Sequence, residues 1–249
     1  MIGEANPDCG FTMPIPNPVA WLQVFLDARR VRRRGDPEHH LLSQFVRPGD
    51  IAVDVGANHG VYTWSLMLCG AITHAVEPNP ALAGRIRSAA LPRVTVHETA
   101  VGDVAGSADL YIPLRQKRGR SRRNDPSATL LDQSGDGLRI PVKVSTLDSL
   151  QLAPVAFMKI DVEGYEEKAL RGGWNTIVRD RPALLIELED SVKKGCRGDI
   201  VGLLGTIGYS AWYYDGGTWF PETGLNPEQM GPSGRRINNF LFLHGSRRP

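Results

Sequence analysis

Cysteine, long apolar runs and excess charge are all scarce in this chain of 249 residues. Its three cysteines, Cys9, Cys69 and Cys196, lie far apart, so neither a CxxC pair nor a disulfide framework is indicated. The longest apolar stretches, such as residues 20–26, are far shorter than the ~20 residues that a membrane span needs. A net charge of +2 indicates no polyanionic partner, and residues 1–18 lack a signal-peptide pattern. We therefore expect a cytoplasmic protein with no membrane partner.

Short apolar runs alternate with helix-like segments along most of the chain. This alternation predicts an α/β domain with a parallel sheet and helices on its faces. A hydrophobic content of 41% is ordinary for one globular domain with a buried core. We expect an N-terminal helical extension at 1–45, which could serve as a lid, and an α/β domain at 46–249. The strands are predicted at 51–55, 72–76, 94–97, 109–112, 140–144, 155–160, 183–188, 211–214 and 240–244.

Two runs of basic residues interrupt this pattern. The first ends a helix predicted at 19–34, in which Trp21, Leu22, Phe25 and Leu26 are spaced to share one face. The second places six basic residues within 115–123, inside a polar loop at about 113–135 that we expect to be mobile. A solvated loop is the favoured interpretation. The alternative is a flap over the active site that attracts an anionic substrate, such as a phosphorylated sugar.

A glycine-containing turn led by an acidic residue follows the first predicted strand of the sheet. Gly56 and Gly60 allow a tight turn and the close approach of a ligand, and Asn58 tolerates left-handed backbone angles. The spacing is not the dinucleotide fingerprint G-x-G-x-x-G. Asp54 would repel a pyrophosphate, whereas it would attract the sulfonium and ammonium of S-adenosylmethionine. The alternative is a structural Asp54 that only caps the turn.

Two further signals follow the second and third strands. Glu77 ends the second strand 23 positions after Asp54, where an acid can accept both hydroxyls of a ribose. Small residues at 99–103, after the third strand, leave room for a flat adenine. Each signal is weak alone, but together they indicate a nucleoside-containing cofactor.

At this point the sequence resembles the FkbM-like methyltransferases. The matching stretches occur in the family's order over roughly residues 50–189: Val53-Asp54-Val55-Gly56-Ala57-Asn58 with Gly60, Glu77-Pro78-Asn79, Ala100-Val101-Gly102-Asp103, Thr146-Leu147-Asp148, and Lys159-Ile160-Asp161-Val162-Glu163-Gly164 with Glu166. The resemblance implies a class I, Rossmann-like fold. Its mostly parallel sheet would have seven strands, helices on both faces and an antiparallel last strand pair. It also implies S-adenosylmethionine as the methyl donor and O-methylation as the usual reaction.

The resemblance also implies roles for individual residues. The methionine part of the cofactor would be surrounded by the glycine turn, the ribose would bind Glu77, and Ala100 and Val101 would border the adenine. The cofactor residues expected are Asp54, Gly56, Asn58, Gly60, Thr63, Glu77, Ala100 and Val101. The basic run at 115–123 departs from the family's Ser/Gly-rich loop. Residues 1–45 and those after 190 match nothing in the family, so we expect them to select the acceptor.

The candidate catalytic residues follow the most apolar strand, at 155–160. Asp161 and Glu163 are two positions apart and would point to one side if the strand continued through them. A hydroxyl is a poor nucleophile at neutral pH, so a general base should assist it. We assign the proton transfer to Glu163 and orientation of the acceptor, or contact with the cofactor, to Asp161. The alternative is that both residues merely shape the turn.

Two more residues are candidates for contact with the acceptor. His59 lies inside the glycine-containing turn at 56–60 (the cofactor turn), and Glu187 ends the next buried strand. Asp161, Glu187 and Glu189 are oxygen ligands of the kind that Mg²⁺ prefers, but their spacing does not define a site and no metal is predicted. Lys159 is interpreted as a packed or salt-bridged side chain.

Aromatic residues are concentrated late in the chain, at 212–220. The favoured interpretation is a β-hairpin that turns at Asp215-Gly216-Gly217. The alternative is a surface on which a sugar ring or an aglycone stacks.

These patterns favour an O-methyltransferase that acts on a small hydroxylated molecule, either a sugar or a secondary metabolite, which could be anionic. An RNA methyltransferase that uses the two basic runs is disfavoured because those runs hold no aromatic residues on which bases could stack. A cofactor-binding domain without catalytic activity is the remaining alternative. The sequence indicates neither the acceptor nor the oligomeric state.

Overall fold

An eight-stranded, mostly parallel sheet forms the centre of the computed structural model. The structure describes residues 16–34, 37–113, 115–117, 120–122, 128–131, 136–189, 194–226, 228–245 and 247–249. Its strands are β1 (Ile51–Val55), β2 (Ile72–Val76), β3 (Val94–His97), β4 (Ala100–Val101), β5 (Gly106–Pro113), β6 (Arg115–Lys117), β7 (Arg120–Arg122), β8 (Gly137–Ser145), β9 (Val155–Ile160), β10 (Ala183–Glu187), β11 (Tyr209–Asp215), β12 (Thr218–Pro221) and β13 (Asn239–His244). Its helices are α1 (Pro18–Arg34), α2 (Val61–Leu68), α3 (Pro80–Ser88), α4 (Glu166–Gly172), α5 (Trp174–Asp180) and α6 (Cys196–Gly205).

The strand order in the central sheet is β12-β11-β13-β10-β9-β1-β2-β3. Five neighbouring strands of this sheet pair in parallel: β10, β9, β1, β2 and β3. Parallel strands need a crossover connection, and a helix supplies it between most strands that follow one another in the chain. Strand β13 runs antiparallel to β10 and to β11. A smaller sheet of β4, β8 and β5 lies apart from the central sheet, and β6 pairs with β7. The mostly parallel sheet and the antiparallel pair are therefore confirmed.

The expected number of strands is wrong, because the central sheet has eight and not seven. The additional strand is β12, which pairs antiparallel with β11. Gly216 and Gly217 connect the two strands with φ angles of 55° and 95°, the backbone that a tight hairpin turn requires. The aromatic segment at 212–220 therefore forms the hairpin that its sequence favours, and this hairpin extends the sheet by one edge strand.

Apolar side chains cover both faces of the central sheet. On one face Val53, Met158 and Leu184 pack among the residues of α4, α5 and α6. On the other face Ala52, Phe157 and their neighbours pack against α2. Successive residues of β1 and β9 thus point to opposite faces of the sheet. Both faces are buried, as is expected for parallel strands with helices on either side.

Helix α1 packs against α2 and α3 through a face that differs from the apolar face indicated by the sequence. The buried side chains are Ala20, Val24 and Ala28. The larger Leu22 and Leu26 are instead 47% and 49% exposed. After α1 the chain forms two 3-10 turns, Pro37–His40 and Leu42–Gln44.

Two other expectations concern the polar loop at about 113–135 and segments that could span a membrane. Most of the loop expected to be mobile, at about 113–135, lies outside the described residues, as do residues 1–15. Among the helices that the structure describes, none is long and apolar enough to cross a membrane.

The contact between α4 and the turn after β4 depends on a residue without a side chain. A Cβ atom on Gly172 would lie 2.0 Å from the carbonyl oxygen of Gly102, so Gly172→Ala must push the two segments apart. We expect this change to lower the free energy of unfolding by about 2–3 kcal/mol in urea denaturation. Gly202→Ala is the control, because nothing lies within 4 Å of a Cβ atom there, in α6. It should raise stability by about 0.5–1 kcal/mol, and equal effects of the two changes would contradict this packing.

Candidate functional site

A cavity of about 620 Å³ opens at the carboxyl ends of the parallel strands. Ligands bind at this edge of the sheet in open α/β folds. The volume includes space that is open to solvent. Side chains from β5, from the ends of β1, β2 and β9, and from the segment 128–130 enclose it. The lining residues are Val55, Gly56, Asn58, Val76, Glu77, Pro78, Leu82, Thr99, Ala100, Val101, Leu110, Ala128, Thr129, Leu130, Asp161, Val162, Glu163 and Tyr165.

Gly56 sets the distance between the two turns that form the base of the cavity. Its φ of 81° is left-handed, and a Cβ atom on it would lie 1.8 Å from the carbonyl oxygen of Asp161. Asn58, with φ of 49°, completes the turn, as its tolerance of left-handed angles predicts. The chain leaving β1 thus contacts the chain leaving β9, which no residue with a side chain would permit.

Glu77 is a buried carboxylate on the wall of the cavity. Its Oε2 accepts a hydrogen bond from the backbone N–H of Asn58 at 2.7 Å, and its Oε1 accepts one from Asn79 at 2.8 Å. Burial raises the pKa of Glu77 to about 7, against the lowering effect of these two hydrogen bonds. Each carboxylate oxygen keeps a second lone pair, so Glu77 can accept further hydrogen bonds from a ligand with two hydroxyls.

Asp54 lies beneath the cofactor turn and does not line the cavity. It is 2% exposed, and its Oδ2 accepts a hydrogen bond from Thr63 Oγ1 at 2.6 Å. Burial raises the pKa of Asp54 to about 6, while the hydrogen bond from Thr63 and the cation of Lys159 lower it. Gly60, which precedes α2 with φ of 78°, also lies outside the lining. Asp54 and Thr63 thus lie behind the turn and support it, and Gly60 is the last residue of the turn before α2.

Asp161 and Glu163 both line the cavity, although the geometry that the sequence suggested for them is wrong. Strand β9 ends at Ile160, and Glu163 has a left-handed φ of 51°, so the alternation of a strand does not continue through them. The side chain of Glu166 holds the turn by accepting hydrogen bonds from the backbone N–H groups of Gly164, at 2.9 Å, and Val162, at 3.3 Å. Burial raises the pKa of Glu166.

A second, acidic cavity of about 240 Å³ adjoins the first one. The two share Asp161 and Glu163, and the second is lined by Asp161, Glu163, Gly164, Glu166, Glu187 and Glu189. Glu187, a predicted acceptor contact, therefore lies next to the predicted catalytic residues. Within the described ranges, no group of three or more His, Cys, Asp or Glu side chains is arranged to hold a metal ion.

Lys159 is a fully buried cation beside this acidic cavity. Its Nζ donates a hydrogen bond to Asn239 Oδ1 at 2.9 Å and lies 3.8 Å from both Asp161 Oδ2 and Glu187 Oε2. The same Nζ lies 5.0 Å from the centre of the Tyr62 ring. A buried charge needs such partners. The lysine is thus salt-bridged, as the sequence suggested, and it links the ends of β9, β10 and β13.

His59 lies outside the linings of both cavities. Its Nδ1 is 3.5 Å from Asp27 Oδ2 of α1, and its carbonyl oxygen accepts a hydrogen bond from Arg85 at 2.8 Å. Burial lowers the pKa of His59. The predicted contact of His59 with the acceptor therefore remains a prediction, while the ring itself faces α1.

Several lining residues were not identified from the sequence. Tyr165 follows the 159–164 motif directly, so its position was a usable signal. Thr129 and Leu130 reach the cavity because Thr129 pairs with Tyr111 of β5 and donates a hydrogen bond to the carbonyl oxygen of Glu163 at 2.7 Å. Local sequence carries no signal for this long-range contact.

The lining of the cavity combines apolar and acidic side chains. Leu82, Ala100, Val101 and Leu110 are among the apolar residues, and the acids are Glu77, Asp161 and Glu163. None of the described lining residues is basic. Such a wall repels phosphates and attracts cations and hydroxyl groups, so it fits a flat apolar ring joined to a polar, positively charged part.

Comparisons with known proteins identify the family of the chain. Residues 54–245 match the model of the methyltransferase FkbM domain. A search of curated proteins found no match.

Three solved structures resemble the fold. A methyltransferase FkbM from Methylobacillus flagellatus KT has a TM-score of 0.50 and 16% identity, over 90% of this chain and 55% of that one. The chain thus spans about half the length of that relative. A precorrin-6y C5,15-methyltransferase from Geobacter metallireducens GS-15 has a TM-score of 0.48 and 11% identity, over 86% and 90% of the two chains. A putative methyltransferase from Streptococcus mutans in complex with SAH has a TM-score of 0.42 and 10% identity, over 83% and 96%.

The raised pKa of Asp54 predicts a pH-dependent effect of its removal. The pKa of Asp54 is about 6 in the folded protein, whereas its ordinary value is 3.8. The folded state therefore binds the proton more tightly than the unfolded state, and the stabilisation that this gives is lost as pH rises through that interval. The unfolding free energy of Asp54→Asn, relative to wild type, should therefore rise by about 1 kcal/mol between pH 5 and pH 8. Urea denaturation of the ligand-free protein measures it, with exposed Asp103→Asn as the control. A relative stability that is flat or falls with pH would refute this interpretation.

Proposed function

Because this chain belongs to the FkbM methyltransferase family, we propose that it transfers the methyl group of S-adenosylmethionine to a hydroxyl oxygen of a small molecule, such as a sugar or a secondary metabolite. The observation that carries the proposal is the arrangement of acids around one cavity. Glu77 lies on one wall, and Asp161 and Glu163 line the side that opens to the acidic cavity.

The lining residues fit S-adenosylmethionine better than a dinucleotide. Glu77 would accept hydrogen bonds from both ribose hydroxyls, since the backbone already fixes its carboxylate. Ala100 and Val101, with Leu82 and Leu110, would border the adenine, and Gly56 and Asn58 would lie along the methionine part. Asp54 would act through its negative charge from behind the turn. When bound, the cofactor supplies an electrophilic methyl group on a sulfonium.

The acceptor side needs a base and a means of orientation. Glu163 lines both cavities, so its carboxylate can meet an acceptor hydroxyl placed between them and would take up the proton of that hydroxyl. The backbone of Asp161 is fixed, because its N–H donates to the carbonyl oxygen of Val55 at 3.0 Å and its carbonyl oxygen lies against Gly56. Asp161 thus orients the acceptor relative to the cofactor.

Glu187 supports a hydroxylated acceptor. Its side chain is 30% exposed and forms part of the acidic cavity, where it can accept hydrogen bonds from further hydroxyl groups. A phosphate or carboxylate at this place would meet four further acids in the cavity wall. We therefore propose an acceptor that is neutral or cationic at this end. The alternative of an anionic acceptor depends on the basic run at 115–123, of which the structure describes 115–117 and 120–122.

Loss of the Glu77 charge should weaken cofactor binding. Glu77→Gln removes charge-assisted hydrogen bonds to the ribose, so the Kd for S-adenosylhomocysteine in calorimetric titration should rise about 10–100-fold. Glu98→Gln is the matched control, because Glu98 is exposed and pairs only with Arg87 among the ion pairs found. Unchanged affinity in Glu77→Gln, or no binding by wild type, would reject the cofactor site.

Loss of the proposed base should affect turnover and leave binding intact. With tritiated S-adenosylmethionine and a panel of sugars and polyols, Glu163→Gln should transfer methyl groups at least about 100-fold more slowly than wild type. Its affinity for S-adenosylhomocysteine should stay within about 3-fold, since Glu163 is assigned no role in holding the cofactor. Glu167→Gln, which alters the exposed pair with Arg171 on α4, is the control. Full activity of Glu163→Gln would rule out its role as the base.

A further inference from the structure

Helix α1 carries apolar side chains on the face that points away from the protein. Val19, Leu22 and Leu26 are 62%, 47% and 49% exposed. Their spacing of three and four residues places them in one line along the helix. Exposed Arg29 and Arg30 continue the same line toward the C-terminal end of the helix. We call these five residues the outer stripe.

The opposite face of α1 is fixed to the protein, so the outer stripe cannot turn inward. Ala20, Val24 and Ala28 are buried against α2 and α3, on the side of the helix directly opposite Leu22 and Leu26. The backbone N–H of Asn17 donates to the carbonyl oxygen of Ser88 at 2.9 Å, which anchors the start of the helix to the end of α3.

The two flanks of α1 are also occupied. Trp21 and Phe25 contact the ring of Trp64 of α2, at centroid distances of 5.3 Å and 5.6 Å. On the other flank Asp27 pairs with Arg85 at 3.2 Å. Since Asp27 is the sole acid of α1, no carboxylate of the helix itself neutralises the arginines of the outer stripe.

The stripe combines two properties that together select one kind of partner. Aliphatic side chains gain from leaving water, and the guanidinium groups of Arg29 and Arg30 gain from anionic oxygens. A helix with Leu and Trp residues beside arginines is typical of helices that lie in the headgroup region of a membrane. Arginine stems can bury their methylenes there while the guanidinium groups meet lipid phosphates.

Other partners satisfy only one of these properties. A second copy of the chain would bring arginines against arginines in a parallel helix pair, or against leucines in an antiparallel pair. A nucleic acid would accept the arginines but would leave the aliphatic residues without a partner, because single strands stack on aromatic rings.

We propose that the outer stripe of α1 binds the surface of a membrane that contains anionic lipids. The expectation of no membrane partner rested on the absence of a spanning segment, and a surface contact needs none. Asp27 also lies 3.5 Å from the ring of His59 in the cofactor turn, so the bound surface would lie on the side of the protein next to that turn. The proposal is independent of the methyl-transfer reaction.

Co-sedimentation with vesicles tests this surface. The full chain should bind vesicles of phosphatidylcholine with about one third phosphatidylglycerol, bind pure phosphatidylcholine far more weakly, and dissociate in 0.5 M NaCl, because salt screens the arginine contacts. Leu22→Ser/Leu26→Ser should reduce binding about 10-fold or more, since each leucine loses its burial in the lipid. Arg29→Gln/Arg30→Gln should also weaken it and lower its salt sensitivity.

The control is Leu138→Ser/Val178→Ser, which removes two apolar side chains, 42% and 44% exposed, on β8 and α5. It should bind vesicles as wild type does, and an unchanged circular dichroism spectrum checks the folding of each variant. Equal binding to neutral and anionic vesicles, or undiminished binding by the leucine variant, would overturn the proposal. Absence of vesicle binding would overturn it as well. A leucine-dependent dimer in sedimentation velocity would then indicate a second copy as the partner, and leucine-independent binding to an RNA oligonucleotide would indicate a nucleic acid.

Discussion

The close contact between Gly56 and the carbonyl oxygen of Asp161 is the constraint on which the site depends. A Cβ atom at position 56 would lie 1.8 Å from that oxygen, so the turns after β1 and β9 can meet only if glycine occupies the position. This contact places Glu77, held by the first turn, and Glu163, which follows in the second, on the wall of one cavity. The cofactor side and the acceptor side are thus joined by backbone, and the side chains act from fixed positions.

The distribution of charge at the carboxyl ends of the parallel strands is uneven. Burial raises the pKa values of Asp54, Glu77 and Glu166, whereas Lys159 is the one fully buried cation that the described part of the chain places among the acids. The ligand-free protein therefore holds carboxyl groups that ionise with difficulty. A ligand with positive charge and hydroxyl donors would stabilise their ionised forms, so the binding of such a ligand and the release of protons are coupled.

The sequence predicted the parts of the fold that local patterns determine. The bounds of β1, β2, β3 and β9 were predicted to the residue, because each is an apolar run between turn-forming residues. The family was also identified from its motifs, and this is confirmed. The predictions failed where tertiary packing determines the structure. The hairpin of β11 and β12 was predicted, but β12 was not expected to join the central sheet. Helix α1 buries the small side chains of Ala20, Val24 and Ala28 in place of its larger residues. Within the site, Gly56, Asn58, Glu77, Ala100 and Val101 line the cavity, but no pattern showed that Asp54 lies behind the turn.

The central claim is that Glu77 binds the cofactor as a carboxylate, and the number of protons released on binding tests it most directly. Calorimetric titration with S-adenosylhomocysteine in two buffers of different ionisation enthalpy measures that number. Since the pKa of Glu77 is raised to about 7 in the free protein, about one proton should be released at pH 6 and almost none at pH 8.5. Glu77→Gln should remove most of the difference between the two pH values; Asp54, whose pKa is raised to about 6, can add at most about half a proton at pH 6. Binding without proton release at pH 6, or the same release from Glu77→Gln, would contradict the account.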